Sequence, residues 1–218
     1  MIGVFDSGVG GLASVSYIKE ALPDIDLAYI ADTENSPFGT KSHGEIVKIT
    51  EYNIERLRQM GAERVLIACC TASTAHPYIS EGAAKISIPI IEPTARRAAF
   101  AAEGGKIGVI ATERTVKSSA FPTAIKRYCP IAEVCQYPAQ ELVEYIENRE
   151  ACAVHEFISK TAEKITKDGC TTLILGCTHF SHAREVFSRH LPTINILDSA
   201  HAGALEVIRY AKNTSSRR

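Results

Sequence analysis

Gly61-Ala-Glu-Arg-Val-Leu-Ile-Ala-Cys69 and Gly169-Cys-Thr-Thr-Leu-Ile-Leu-Gly-Cys177 follow one plan, and that agreement decides how the chain is organised. In each, a glycine closes an amphipathic segment, a short apolar run follows, and a cysteine stands eight positions after the glycine. Before Gly61, Val47, Thr50, Ile54 and Leu57 recur at steps of three and four; before Gly169, Val154, Ile158, Thr161 and Ile165 do the same. Both segments therefore read as helices, each ended by a glycine suited to the left-handed position just past a helix. The likeness extends upstream, because Ile2-Gly-Val-Phe-Asp-Ser7 returns 105 residues later as Ile107-Gly-Val-Ile-Ala-Thr112.

Working outward, the apolar runs are Ile2–Phe5, Leu27–Ala31, Val65–Ala68, Ile86–Ile91, Ile107–Ile110, Ala132–Cys135, Leu173–Leu175 and Ile194–Leu197. Short strands alternating with helices imply an α/β fold with mainly parallel sheets flanked by helices. The repeat divides it into two similar domains, expected to face each other: 1–92 with 199–218, and 93–198. Pro93 marks the first crossing, with a fresh helix over Ala95–Ala102. A last helix over Ala202–Ala211 packs back on the first domain, and the tail from Thr214 to Arg218 is expected to fray. Each cysteine then lies at the carboxyl end of a strand, where open α/β sheets bind ligands.

Composition narrows the functions. With 218 residues, 24 Lys+Arg, 25 Asp+Glu and 45% hydrophobic residues, the chain reads as a globular protein rather than a disordered one. The near-zero net charge offers no footprint for nucleic acid or an anionic membrane. No apolar run approaches a membrane span, and the start at Met1 carries no charged leader. Seven cysteines form an odd set without disulfide-framework spacing, which points to a reducing, cytoplasmic setting. Cys129, Cys135, Cys152 and Cys170 read as small core residues.

Three loops are rich in small and polar residues: Asp6-Ser-Gly-Val-Gly-Gly11, Cys69-Cys-Thr-Ala-Ser73 and Gly176-Cys-Thr-His179. The first lacks the third glycine of a dinucleotide loop and carries an aspartate where phosphate would approach, so a small carboxylate suits it better. Cys177 and His179 lie two apart, and a thiol beside an imidazole is a competent base or nucleophile. Plainer roles stay open: His179 as a hydrogen-bonded structural residue, and Asp6 as the N-cap of a helix beginning near Gly11.

Those loops, in that order, resemble the cofactor-independent glutamate racemases of the aspartate/glutamate racemase superfamily. The likeness runs along nearly the whole chain, through Ile2–Leu12, Asp32, Ser36–Gly39, Ile67–Ser73, Ile107–Ser118, Leu173–His179 and Leu197–Ala200. It implies an active site in the cleft between two α/β domains, a homodimer, and no pyridoxal phosphate or metal. It also implies production of D-glutamate for peptidoglycan. Cys69 and Cys177 would be the two bases on opposite faces of the α-carbon, assisted by Asp6 and His179 respectively. Ser7, Pro37, Phe38, Gly39, Cys70, Thr71, Thr115 and Thr178 would hold the amino acid, with Glu144 as an accessory acid. No lysine stands in a comparable motif to form an imine.

The chain departs from the family pattern at Cys70, where an asparagine is usual, at Phe38 for tyrosine, and at Phe180-Ser181 for Tyr-Pro. A thiol has one weak donor where an amide has two donors and an acceptor. That exchange keeps three further readings open: a racemase for aspartate, an amino-acid-binding relative without catalysis, and a zinc site built from Cys69, Cys70, Cys177 and His179.

Overall fold

The computed structural model describes residues 1–215 and divides into two compact units, Met1–Pro93 with the chain from Ala200 onward, and Thr94–Ser199. The first holds a parallel sheet of β1 (Ile2–Asp6), β2 (Leu27–Ala31), β3 (Arg64–Ile67) and β4 (Ser87–Pro89), in the order β2-β1-β3-β4. The second holds β5 (Lys106–Ala111), β6 (Val134–Pro138), β7 (Cys170–Gly176) and β8 (Asn195–Asp198), in the order β6-β5-β7-β8. All six strand pairings are parallel, and the two sheets share one topology.

The packing follows from the strand period. In β3, Val65 and Ile67 join one core cluster with Ile46, Ile54 and Leu57 of the helix His43–Gln59. Leu66 points the other way, where a Cβ on Gly203 of the helix Ser199–Ser215 would meet it at 3.3 Å. Both faces of the strand are thus covered, which is why β1 is buried along its whole length. In β7, Leu173 and Leu175 pack with Ile158 and Ile165 of the helix Ala151–Lys167. On the opposite face a Cβ on Gly176 would stand 2.9 Å from the Phe121 ring, so the absence of a side chain admits that aromatic beneath the end of β7.

Both helix-ending glycines take the expected left-handed conformation, Gly61 at φ 96° and Gly169 at φ 75°. The helix His43–Gln59 opens on a reciprocal capping box between Ser42 and Glu45. Several boundaries differ from the sequence reading. Ile86 closes the helix Glu81–Ile86 and Ile91 opens the helix Ile91–Ala101, leaving only Ser87–Pro89 as strand. The strand expected at Ala132–Cys135 lies at Val134–Pro138, and it can end in proline because β6 is a sheet edge. Pro93 does not precede a helix; it sits in the first turn of Ile91–Ala101, where a missing N–H costs nothing. The last helix continues through Thr214 to Ser215, and the rest of the expected frayed tail lies outside the described residues. Cys152 is exposed rather than part of a core, because it falls on the outer side of the first turn of Ala151–Lys167.

Candidate active site

Each unit gathers polar residues at the carboxyl ends of its central strands. In the first unit β1 ends on Asp6, fully buried, and Ser7; β3 is followed by Cys69, 6% exposed. Asp6 does not cap a helix. The helix Leu12–Ala21 begins from Gly11 with no side-chain cap, and the Asp6 carboxylate Oδ2 instead accepts from the Gly8 N–H at 3.0 Å. That short-range bond bends the chain immediately after the strand. Cys69 caps the turn Cys70–Ser73, its Sγ accepting from the Ala72 N–H at 3.4 Å, while the thiol donates to Ser7 Oγ at 3.7 Å.

Burial pushes the Cys69 thiol up to about 12, and the neighbouring Asp6 charge pushes in the same direction. Opposing them are the Ala72 N–H, the Ser7 hydroxyl and the Thr71 N–H, groups that can donate to a thiolate. The resting state at neutral pH is the thiol. Since the folded value lies above the ordinary one near 8.5, this group's stabilising contribution is intact below about pH 8.5 and is lost as pH climbs towards 12. Urea unfolding at about pH 8 and about pH 10 is therefore expected to show stability falling by up to about 1 kcal/mol per pH unit on account of Cys69. Cys69→Ser, which cannot titrate there, should give the flatter profile; parallel profiles would refute the assignment.

Two turns of this unit carry the other residues expected from the sequence. Cys70 and Thr71 are buried in the capped turn. Pro37, exposed and joined to Ser36 by a cis peptide, leads into the single turn Phe38–Thr40 containing Gly39. The Phe38 ring belongs to the hydrophobic cluster of Phe5, Cys69 and Ala72, so it is turned into the core rather than to solvent. Asp32 anchors the segment that leads to it, accepting at Oδ2 from Asn53 at 2.6 Å and at Oδ1 from Asn35 at 2.9 Å.

In the second unit Cys177 follows β7 directly, extended and 8% exposed. It caps nothing; its Sγ lies 3.7 Å from His179 Nδ1 within the turn Thr178–Ala183. The other ring nitrogen, Nε2, stands 2.9 Å from Glu147 Oε1, an ion-pair distance without the alignment of a hydrogen bond. The helix Gln140–Glu147 thus brings Glu147 to the imidazole, whereas Glu144 is exposed and one turn away. Thr178 is buried beside Cys177. At the end of β5, Thr112 Oγ1 accepts from the Thr115 N–H at 3.4 Å and lies 3.0 Å from its hydroxyl. Thr112 occupies the place in this unit that Ser7 has in the first, a correspondence already available from the 105-residue offset. Ser181 Oγ donates to Asp198 Oδ1 at 2.8 Å, fixing the turn against the end of β8.

Among the described residues no group of three or more His, Cys, Asp or Glu side chains could hold a metal ion. What the two sites have in common is a buried thiol at the same sheet position with its own proton partners: hydroxyl and amide N–H in one, imidazole and carboxylate in the other. Each can give or take a proton at carbon.

The family model for Asp/Glu/hydantoin racemases matches residues 13–207. The glutamate racemase of Ectopseudomonas mendocina is 35% identical over 212 residues, 95% of this chain and 81% of that protein. Among solved structures, the glutamate racemase isoform RacE1 of Bacillus anthracis superposes with a TM-score of 0.89 at 31% identity, covering 98% of this chain and 82% of that one. The Francisella tularensis glutamate racemase, solved with D-glutamate, gives 0.90 at 28% identity, covering 98% and 81%.

Proposed function

The chain belongs to the Asp/Glu/hydantoin racemase family, and so to the isomerases, and on that premise we propose that it interconverts L- and D-glutamate by proton transfer between two cysteines. The observation that carries the reading is the matched placement of Cys69 and Cys177, each after the third strand in chain order of its sheet and each buried beside a proton partner. Racemisation needs similar acid/base groups on both faces of one carbon. In one direction a Cys69 thiolate removes the α-proton while the Cys177 thiol delivers one to the opposite face; in the other the roles exchange.

The two thiols become bases by different routes. For Cys69, the Ala72 N–H and the Ser7 hydroxyl stabilise a thiolate, while Asp6, as an anion beside it, disfavours the charged form. For Cys177, His179 accepts the thiol proton at Nδ1, and the Glu147 carboxylate stabilises the resulting imidazolium from the far side of the ring. Loss of the α-proton builds charge on the substrate carboxylate, so fixed donors must receive it. Ser7, Pro37, Phe38, Gly39, Cys70, Thr71, Thr115 and Thr178 are assigned to hold the amino acid on the resemblance. Glu144 keeps only an accessory place on the same helix as Glu147. The reading extends to a homodimer that makes D-glutamate for peptidoglycan in the cytoplasm; among the described residues no helix is long and apolar enough to cross a membrane.

Incubation with L-glutamate in D2O, followed by NMR and circular dichroism, tests this directly. The α-proton signal should disappear and optical rotation should decay to zero. Exchange with aspartate but not glutamate would move the assignment within the family. Tight amino-acid binding with no exchange would replace catalysis by a binding role.

A further inference from the structure

The turn from Asp6 to Gly11 carries two of the groups around Cys69, and the Asp6–Gly8 bond is the side-chain tie that its own sequence supplies. Three of its residues are glycines, and Val9 at its tip is 57% exposed. A segment of this composition has many accessible conformations. It is tied to a side chain from the neighbouring strand. Tyr29, in β2, donates its hydroxyl to the Gly8 carbonyl at 2.6 Å, among the shortest hydrogen bonds in the unit. At Gly11 the fit is close: a Cβ there would stand 2.9 Å from the Tyr29 oxygen and 2.6 Å from Asp6 Cβ. The Tyr29 oxygen thus bonds the turn at Gly8 and, with Asp6, stands close against Gly11.

We propose that Tyr29 is a positioning residue for Cys69, its hydroxyl holding the Asp6–Gly11 turn so that Ser7 stays within reach of the Cys69 sulfur. It touches no reacting atom. The phenol stays protonated, because burial and the neighbouring Asp6 charge raise it well above its ordinary range, so it acts as a permanent donor to Gly8. Without it, Ser7 samples positions from which it cannot donate to a thiolate, and the thiolate is correspondingly harder to form. This rests on the racemase reading for its catalytic consequence, though not for its effect on the thiol.

Tyr29→Phe tests it, since the ring and its packing remain. Two measurements on the full chain separate positioning from plain structural support. The first is the rate of iodoacetamide alkylation at Cys69 between roughly pH 8 and pH 10, read by fragment-ion mass spectrometry that separates Cys69 from Cys70. Below the thiol's midpoint this rate tracks the thiolate fraction, and it should fall about tenfold at each pH, the worth of one hydrogen bond to a charged group. The second is racemisation of glutamate, where kcat should fall about tenfold with KM changed less than about threefold. Tyr137→Phe, which removes a hydroxyl bound to Asp168 in the other unit, is the control and should leave the Cys69 rate unchanged. A Tyr29→Phe protein with a lowered melting temperature but an unaltered Cys69 rate and kcat would overturn the proposal. If the unmodified chain exchanged no glutamate proton, the racemase reading would fail by itself, and the alkylation rates alone would still decide the role of Tyr29.

Discussion

Cys69→Ser and Cys177→Ser, made separately, are each expected to lower glutamate racemisation by about a thousandfold or more, with KM within about tenfold of the original. A serine hydroxyl fills nearly the same volume but ionises far less readily than a thiol, so one face of the α-carbon loses its base and, in the reverse direction, its matched acid. Because turnover in either direction uses both groups, either loss alone removes the two-base pathway, and the double variant should be scarcely slower than the single ones. The fold should tolerate the change. Serine is a favoured cap residue and can accept from the Ala72 N–H as Cys69 does, and Cys177 makes no cap to lose. Steady-state kinetics in both directions with a thermal melt on each variant provides the check; full racemase activity in either would sink the two-base assignment.

The second large effect belongs to His179. Replacing it by alanine takes away the ring that stands 3.7 Å from the Cys177 sulfur, and leaves the Glu147 carboxylate without its imidazole. We expect kcat to fall about a hundredfold, the usual worth of a positioned acid/base partner, with a smaller loss in Glu147→Gln because Glu147 is half exposed and water can partly replace it. The signature is in the pH profile. With His179 absent, the limb governed by Cys177 should move to higher pH, towards that of an unassisted thiol, whereas the limb governed by Cys69 should stay in place. Equal movement of both limbs, or none, would contradict the pairing.

Much of the fold was readable because its signals are local and occur twice. Eight apolar runs gave eight strands, and the glycines that close the two long helices adopt the backbone conformation their residue type allows. The matched position of the two cysteines was legible for the same reason, since an eight-residue interval after a helix-ending glycine survives in both halves. What escaped depends on tertiary placement. Glu141, Glu144 and Glu147 fall at successive steps of three along one helix, so the sequence supplies three carboxylates and only the packing of that helix against the turn Thr178–Ala183 selects Glu147. Asp6 has the residue type of a helix cap, yet its carboxylate is used two residues on, where the chain turns before the helix starts. Tyr29 reads as an ordinary aromatic of an edge strand until its oxygen is located beneath Gly8. Thr112 alone among the missed residues had a signal in the repeat.

The unlike surroundings of the two sulfurs carry a thermodynamic corollary. Mirror-image amino acids have the same free energy in water, so the equilibrium between them is fixed at unity whatever the catalyst looks like. Amide and hydroxyl support on one side, and an imidazole with its carboxylate on the other, cannot bias that balance. Forward and reverse specificity constants must coincide, and any lopsidedness in the machinery has to surface as unequal turnover numbers offset by equally unequal Michaelis constants for the two enantiomers.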